Sequence, residues 1–362
     1  METGLGYVPY ERLGERPHVM VDGAQRRSSV LTLSHWPASP TPKAFWRDLS
    51  AQSVLAFLAA ARGRLDVPAD AKPEVARAVE AAEMAEAVTN DHFDEDGLMS
   101  VWSAMVPDSA LRVADLVVDV ASCGDFGVVS SDEAAQVSFA VGPLAEEVAG
   151  PGAGTGERYL AMLGRVAELL GHPARYRRYW ADEFAAYELG KDAIAEETVM
   201  LETDRAVDLA VVSRPSRPRL AELNGRLPGA AGGLPIHPVA VHSATTASRV
   251  LAFDGDFCEC YFRYEGWVRY LSREVPLRPD LAPLAAELSS LEPGDVFWEA
   301  NPVGAIVGRL QPSGEGRTEI APEKVNEVVV GYLASSPPAW DPFRVDGGYI
   351  PESERASYRR RR

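Results

Sequence analysis

Apolar and polar positions alternate in two textures along this chain. In the first 150 residues, short runs rich in β-branched residues are interleaved with longer stretches whose apolar positions repeat every three to four residues. His18-Val19-Met20-Val21 runs into Asp22-Gly23, and Val30-Leu31-Thr32-Leu33 runs into Ser34-His35-Trp36-Pro37. Each reads as a strand that ends in polar residues and a turn former. A third short strand is expected over 85–89. Thr41 followed by Pro42 has the form of a cap and a first-turn proline, and the helix it would open carries Phe45, Leu49, Leu55 and Leu58. A second helix is expected over 73–82, set off by Gly63 and Pro68. Leu98, Val101, Trp102 and Met105 repeat at i, i+3, i+4, i+7, one apolar stripe of a helix. Ala110, Val113, Ala114, Val117, Val120 and Ala121 form another, which ends at Cys123-Gly124-Asp125-Phe126-Gly127.

The texture changes at Gly150-Pro151-Gly152-Ala153-Gly154-Thr155-Gly156, the most linker-like segment of the chain. It lacks the Gly-Lys-Ser/Thr ending of a phosphate loop, because Glu157 and Arg158 follow Gly156. Helices are expected over 158–170 and 174–197, then strands over 207–212, 295–300 and 305–310. Two further strands, over 249–253 and 257–263, flank the hairpin signal Asp254-Gly255. A terminal helix is expected over 323–333. The predicted organisation is a flexible arm (1–16), an α/β domain (17–149), a linker (150–157), a helical then α+β second domain (158–343) and a tail (344–362). The fold class this implies is α/β: a Rossmann-like, mostly parallel sheet with flanking helices, followed by a smaller α+β domain.

Composition narrows the function classes. The 362 residues carry a formal net charge of -17, which disfavours bulk nucleic-acid binding and anionic membrane surfaces. Hydrophobic content of 46% and charged content of 25% are those of an ordinary globular protein. Cys123, Cys258 and Cys260 are too few for a disulfide framework and are expected as reduced thiols. Cys258-x-Cys260 has no second pair of zinc ligands near it in sequence. With no signal core and no apolar run near 18 residues, a cytoplasmic location without membrane association is expected.

The candidate chemistry lies at Asp91-His92-Phe93-Asp94-Glu95-Asp96-Gly97, between a strand and a helix. That is where open α/β sheets keep their ligands, outside the carboxyl ends of the strands. Two carboxylates about 4 Å apart repel by roughly 1 kcal/mol in water and roughly 4 kcal/mol at a partly buried site. A solvated turn tolerates this crowding, whereas a crevice needs a divalent cation or bound protons. Carboxylate oxygens with an imidazole suit Mn or Mg better than zinc. An EF-hand does not fit, since counting back from Gly97 puts His92 at loop position 1 and Ser103 at position 12. Asp22 and His35, at the two earlier strand ends, are candidates for the same sheet edge. Asp125 is either a further ligand or part of a plain helix-ending turn.

His92-Phe93-Asp94-Glu95-Asp96-Gly97 resembles the first, metal-binding Asp-x-Asp motif of the DHH phosphoesterase superfamily. Val19-Met20-Val21-Asp22 resembles its strand-plus-Asp motif, the strand before Ser34-His35-Trp36 is similar to the one bearing the Asp-His-His signature, and Ser122-Cys123-Gly124-Asp125-Phe126 falls where a fourth, Asp-containing motif would come. The resemblance implies a metal-dependent phosphoesterase using Mn or Mg, with Asp22, His35, His92, Asp94, Asp96 and Asp125 as metal ligands and His35, Asp94 and Asp96 in catalysis. The substrate it implies, given the acidity of the chain, is a small phosphate ester or short nucleotide. Two departures stand out. The signature reads Ser34-His35-Trp36, and the second and third motifs precede the first, as a circular permutation would leave them. These departures also suit a non-catalytic scaffold, in which Trp36 fills the vacated space and the crevice binds a ligand or partner without turnover.

Overall fold

The computed structural model describes residues 5–214 and 236–359. The chain divides into two compact units, Met1–Phe184 with Arg269–Ser272, and Ala185–Val268 with Arg273–Arg362. Both mix helices and strands. No helix of the described residues is long and apolar enough to cross a membrane.

The first unit contains β1 (His18–Val21), β2 (Ser29–Leu33), α1 (Ser50–Ala61), α2 (Lys72–Glu83), β3 (Ala87–Thr89), α3 (Glu95–Met105), α4 (Pro107–Arg112), α5 (Ala114–Phe126), α6 (Asp132–Ala149), α7 (Thr155–Met162), α8 (Val166–Gly171) and the start of α9 (Arg177–Ala195). The three strands form a parallel sheet in the order β2-β1-β3. Val19, Met20 and Val21 of the central strand are all buried, the continuous apolar run expected of a parallel strand covered on both faces. Helices α1 and α3 both pack on β1. All three expected strands are present within two residues of their expected ends.

Three expectations need correction. Residues 5–16 are not a loose arm: Tyr7 bridges Val88 in parallel, the Val8 amide donates to the Val88 carbonyl, and Leu13 is buried. Their pairing is with a strand some 80 residues later, which no local periodicity registers. Thr41 and Pro42 do not start a long helix. The Thr41 hydroxyl is engaged with both the amide and the carbonyl of Ser34, and only a 3-10 turn, Lys43–Phe45, follows. The helix proper begins at Ser50. Finally, the chain does not divide at the glycine-rich segment. Gly154 caps α7 within the first unit, and the division falls between Phe184 and Ala185, inside α9.

The second unit contains β4 (Met200–Asp204), β5 (Leu209–Arg214), α10 (Pro238–Ala244), β6 (Arg249–Asp254), β7 (Phe257–Phe262), β8 (Arg278–Pro279), α11 (Ala282–Leu291), β9 (Trp298–Ala300), β10 (Gly308–Pro312), the helix Pro322–Ser335 and β11 (Pro338–Trp340). Six strands form one sheet in the order β4-β5-β6-β7-β10-β9, antiparallel except between β5 and β6. The expected hairpin is there, with Asp254 opposite Phe257. Leu251, Cys258, Cys260, Phe262, Leu284, Leu288, Val325 and Val329 share its core. The three cysteines of the chain are free and buried.

Candidate metal centre

The parallel sheet of the first unit delivers three polar turns to one edge. Asp22 follows the last residue of β1, His35 follows β2 by two residues, and Asn90 to Asp94 follow β3 directly. Because β1 is central, Asp22 lies between the other two turns. Its backbone sits at φ +46°, in the left-handed region that a non-glycine residue seldom occupies. Strain of this kind gathers at functional sites.

Helix α3 opens at the same edge. Asp94 is its N-cap, Oδ1 accepting from the Gly97 amide at 2.8 Å. Asp96, in the first turn, reaches instead to the start of α1. Its Oδ2 accepts from the Ser50 amide at 2.8 Å and its Oδ1 from the Ala51 amide at 2.7 Å. These are orphan donors that a helix start exposes, so an acidic side chain from another element caps α1. The Ser50 hydroxyl in turn donates to Asp22 Oδ1 at 2.7 Å. Two glycines make the approach feasible. A side chain at Gly97 would collide with Asn90 Nδ2 and Tyr159 Oη, and one at Gly124 with the Glu95 side chain, which seats α5 closely on α3. Asp125 lies in the last turn of α5, not beyond the helix, and so faces the centre from a rigid element.

The two imidazoles are held in the same manner. His35 Nδ1 donates to the Asp48 carbonyl, which can only accept, so the proton is on Nδ1 and the ring turns Nε2 toward the aspartates. His35 Nε2 stands 3.6 Å from Asp22 Oδ1, 4.0 Å from Asp96 Oδ2 and 3.4 Å from Asp125 Oδ2. His92 Nδ1 lies 2.9 Å from Asp91 Oδ1, while Nε2 lies 3.2 Å from Asp22 Oδ2 and 3.0 Å from Asp94 Oδ2. Metal-ligating histidines are oriented in this way, with the far ring nitrogen hydrogen-bonded to a carbonyl or carboxylate.

Two groups of side chains could therefore hold a cation: Asp22, His35 and Asp96, all buried, and Asp22, His92 and Asp94, of which the last two are partly exposed. Within each group the ligand atoms lie within 4.8 Å of one another. Asp22 belongs to both, and offers a different oxygen to each imidazole.

The electrostatics point the same way. No lysine or arginine among the described residues forms an ion pair with Asp22, Asp94, Asp96 or Asp125. Asp22 Oδ2 and Asp125 Oδ2 are buried and have no well-aligned donor among the described residues, His92 Nε2 lying 3.2 Å from Asp22 Oδ2. Burial, then the charge of Asp22, holds the Asp96 carboxyl well above the usual carboxylate range. Burial, then Asp96, Asp94 and Asp22, does the same to Asp125. Asp22 goes the other way: burial would raise it, but His92, His35 and Ser50 together hold it below its ordinary value. Burial keeps His35 neutral, as a ligand must be. Without a cation the centre is thus a carboxylate cluster that relieves its repulsion by retaining protons and by charging His92, whose affinity for a proton is raised by Asp22, Asp91 and Asp94 against the pull of burial.

All six residues read from the sequence as metal ligands converge here. Ser34 takes no part through its side chain beyond accepting from the Trp36 amide. Trp36 stacks on the face of His92, ring centroids 5.3 Å apart. Sequence reasoning missed Ser50, which links Asp22 to α1, and Asp48, whose carbonyl orients His35. It also missed Asn90 and Tyr159, whose Nδ2 and Oη are buried beside Gly97 without a hydrogen-bond partner among the described residues. A serine opening a helix was visible in the sequence; its bond to Asp22 was not.

No curated protein and no solved structure matches this chain. A family model does match, over residues 3–344, and the chain belongs to that family, a family of unknown function designated DUF6687.

Proposed function

We propose that this protein is a divalent-metal-dependent phosphoesterase that uses Mn or Mg to hydrolyse a small phosphate ester or short nucleotide. The observation that carries the reading is the position of Asp22, whose two oxygens face two separate imidazoles, each with its own further aspartate. A carboxylate so placed is suited to bridging a pair of cations. Paired ions of this kind supply polarisation of a phosphoryl oxygen and a lowered pKa for the attacking water. In this reading His35, Asp96 and Asp125 hold the buried side, His92 and Asp94 the open side, and Asp22 both. The all-oxygen and imidazole donor set, without thiolate, favours Mn or Mg over softer metals. The DHH-like, Rossmann-like reading of the first unit adds support through its strand-end aspartates, and a net charge of -17 favours a small substrate over a long polyanion.

A second reading is a ligand- or partner-binding protein without turnover. It is favoured by Trp36, which covers one face of His92 where the DHH signature would carry a further imidazole. Hydrolysis of a generic phosphomonoester and phosphodiester with Mn(II) separates the two. The phosphoesterase reading expects turnover that falls at least about 100-fold in Asp94→Ala, whose side chain is partly exposed and whose loss spares the α1 cap. Bound Mn(II) with hydrolysis equal in both proteins would leave the binding reading.

A further inference from the structure

Asp91 is outside both ligand groups, yet its carboxylate is turned inward onto a ligand. Oδ1 accepts from His92 Nδ1 at 2.9 Å, and among the described residues His92 is the only side chain that it hydrogen-bonds. The same Oδ1 lies so close to Gly23 that a side chain there would meet it, so a glycine at that position is what admits the carboxylate. The opposite ring nitrogen of His92 faces Asp22 Oδ2 and Asp94 Oδ2. His35 is held by different chemistry, a backbone carbonyl at Nδ1. The buried group thus has an imidazole oriented by a neutral acceptor, and the open group has one oriented by a side chain that can be substituted.

We infer that Asp91 is a positioning residue for His92: it fixes the Nδ1-protonated tautomer and the ring plane, so that the Nε2 lone pair serves the open cation position. The inference rests on the reading of this centre as a divalent-cation site. A second-layer acceptor of this kind typically changes metal affinity by about 10- to 100-fold. An ordinary ion pair between Asp91 and His92 would depend on the charge of Asp91. Positioning depends only on an acceptor oxygen, which the asparagine amide also supplies.

The test is Mn(II) alone, titrated into the full chain, with free Mn(II) counted by electron paramagnetic resonance. His92→Ala identifies the affinity that belongs to the open position. Asp91→Ala is expected to weaken that affinity about 10- to 100-fold and leave the other within about threefold, while Asp91→Asn restores most of it. Thermal melting of each variant checks that the fold is kept. Unchanged binding in Asp91→Ala, equal loss at both positions, or Asp91→Asn behaving as Asp91→Ala would each overturn the inference while the metal reading stands. A wild-type chain that takes up no Mn(II) would remove the metal reading and this inference with it.

Discussion

Each unit of this protein buries charge, and the buried arginines and the aspartates of the candidate centre are satisfied to different degrees. In the second unit Arg249, Arg263 and Arg278 are nearly inaccessible, and backbone carbonyls accept from their guanidinium groups. Arg249 donates to the carbonyls of Val207 and Leu277, Arg263 to those of Thr245 and Ala247, and Arg278 to those of Ala305, Ile306 and Arg263. Glu265 pairs with Arg263 at 2.7 Å. In the first unit Arg269 is buried in the same manner, donating to the carbonyls of Ser34 and Ser39, but Asp22, Asp96 and Asp125 form no ion pair with an arginine or lysine among the described residues, and Asp22 Oδ2 and Asp125 Oδ2 accept no aligned hydrogen bond from those residues. Buried polar groups in folded proteins are ordinarily satisfied. The arginines meet that rule largely through backbone carbonyls, whereas Asp22 and Asp125 each keep a buried oxygen with no aligned donor among the described residues, which supports the proposed cation site.

The comparison is broken most sharply at Asp22, which serves both ligand groups. Asp22→Asn should remove binding at both positions, a loss of more than about 100-fold in Mn(II) affinity, greater than a second-layer change gives. The fold should persist, because the variant relieves a crowded set of carboxylates. Mn(II) binding at wild-type strength in Asp22→Asn would place the cation elsewhere. Arg278→Ala is the counterpart in the second unit. It removes the donors to three carbonyls, that of Arg263 buried and those of Ala305 and Ile306 part-buried, which should cost about 1–3 kcal/mol in denaturant unfolding. Its Mn(II) affinity should not change. Were the outcomes exchanged, with the aspartate needed for folding and the arginine for metal, the contrast between the units would be wrong.

A pH experiment sharpens the second unit's side of the contrast. Glu259 on β7 is 1% exposed, and burial lifts its carboxyl to about 7 against the partial opposition of Arg309. Arg309 Nε is 2.7 Å from Oε1 but not aligned to donate, so the pair is an imperfect one. A carboxyl whose folded pKa lies above its unfolded value keeps its proton longer in the native state. Stability is then greatest below about pH 4.5 and declines as pH rises through about 7. The decline should be on the order of 3 kcal/mol for this group, at about 1.4 kcal/mol per unit of pKa. Unfolding free energies measured from pH 5 to 8 should flatten in Glu259→Gln, and an identical slope in both proteins would show that Glu259 is not the titrating group.

Much of this was legible in the residue order, for a definite reason. Strand ends of a parallel sheet are marked by short apolar runs, and the aspartates and histidines that follow such runs are carried to one edge whatever lies between. That logic located Asp22, His35 and the Asp91–Asp96 turn, and the period of α5 located Asp125 to within one turn of its true place. What stayed hidden depends on contacts between distant segments. The start of α1 is set by Asp96, 46 residues after Ser50. Residues 5–16 are ordered by Val88, and His35 is oriented by a carbonyl that carries no side-chain signature. The helix expected at Thr41 failed because its capping hydroxyl is engaged with Ser34.

Tyr159 gives the smallest effect and tests whether unmet polar groups in the first unit extend beyond the carboxylates. It is fully buried among Tyr7 and Phe93, ring centroids 4.9 and 5.1 Å away, and its hydroxyl has no hydrogen-bond partner among the described residues. Burial, then Asp94 and Asp22, holds the phenol well above its usual pKa, so it stays protonated and presents a donor. Leaving such a donor unsatisfied costs roughly 1–3 kcal/mol, part of which Tyr159→Phe should return while keeping the ring packing. The expected gain is about 1 kcal/mol in metal-free protein, read by denaturant unfolding. A loss of similar size would mean that the hydroxyl is satisfied by ordered water, and that the first unit's unmet groups end at its aspartates.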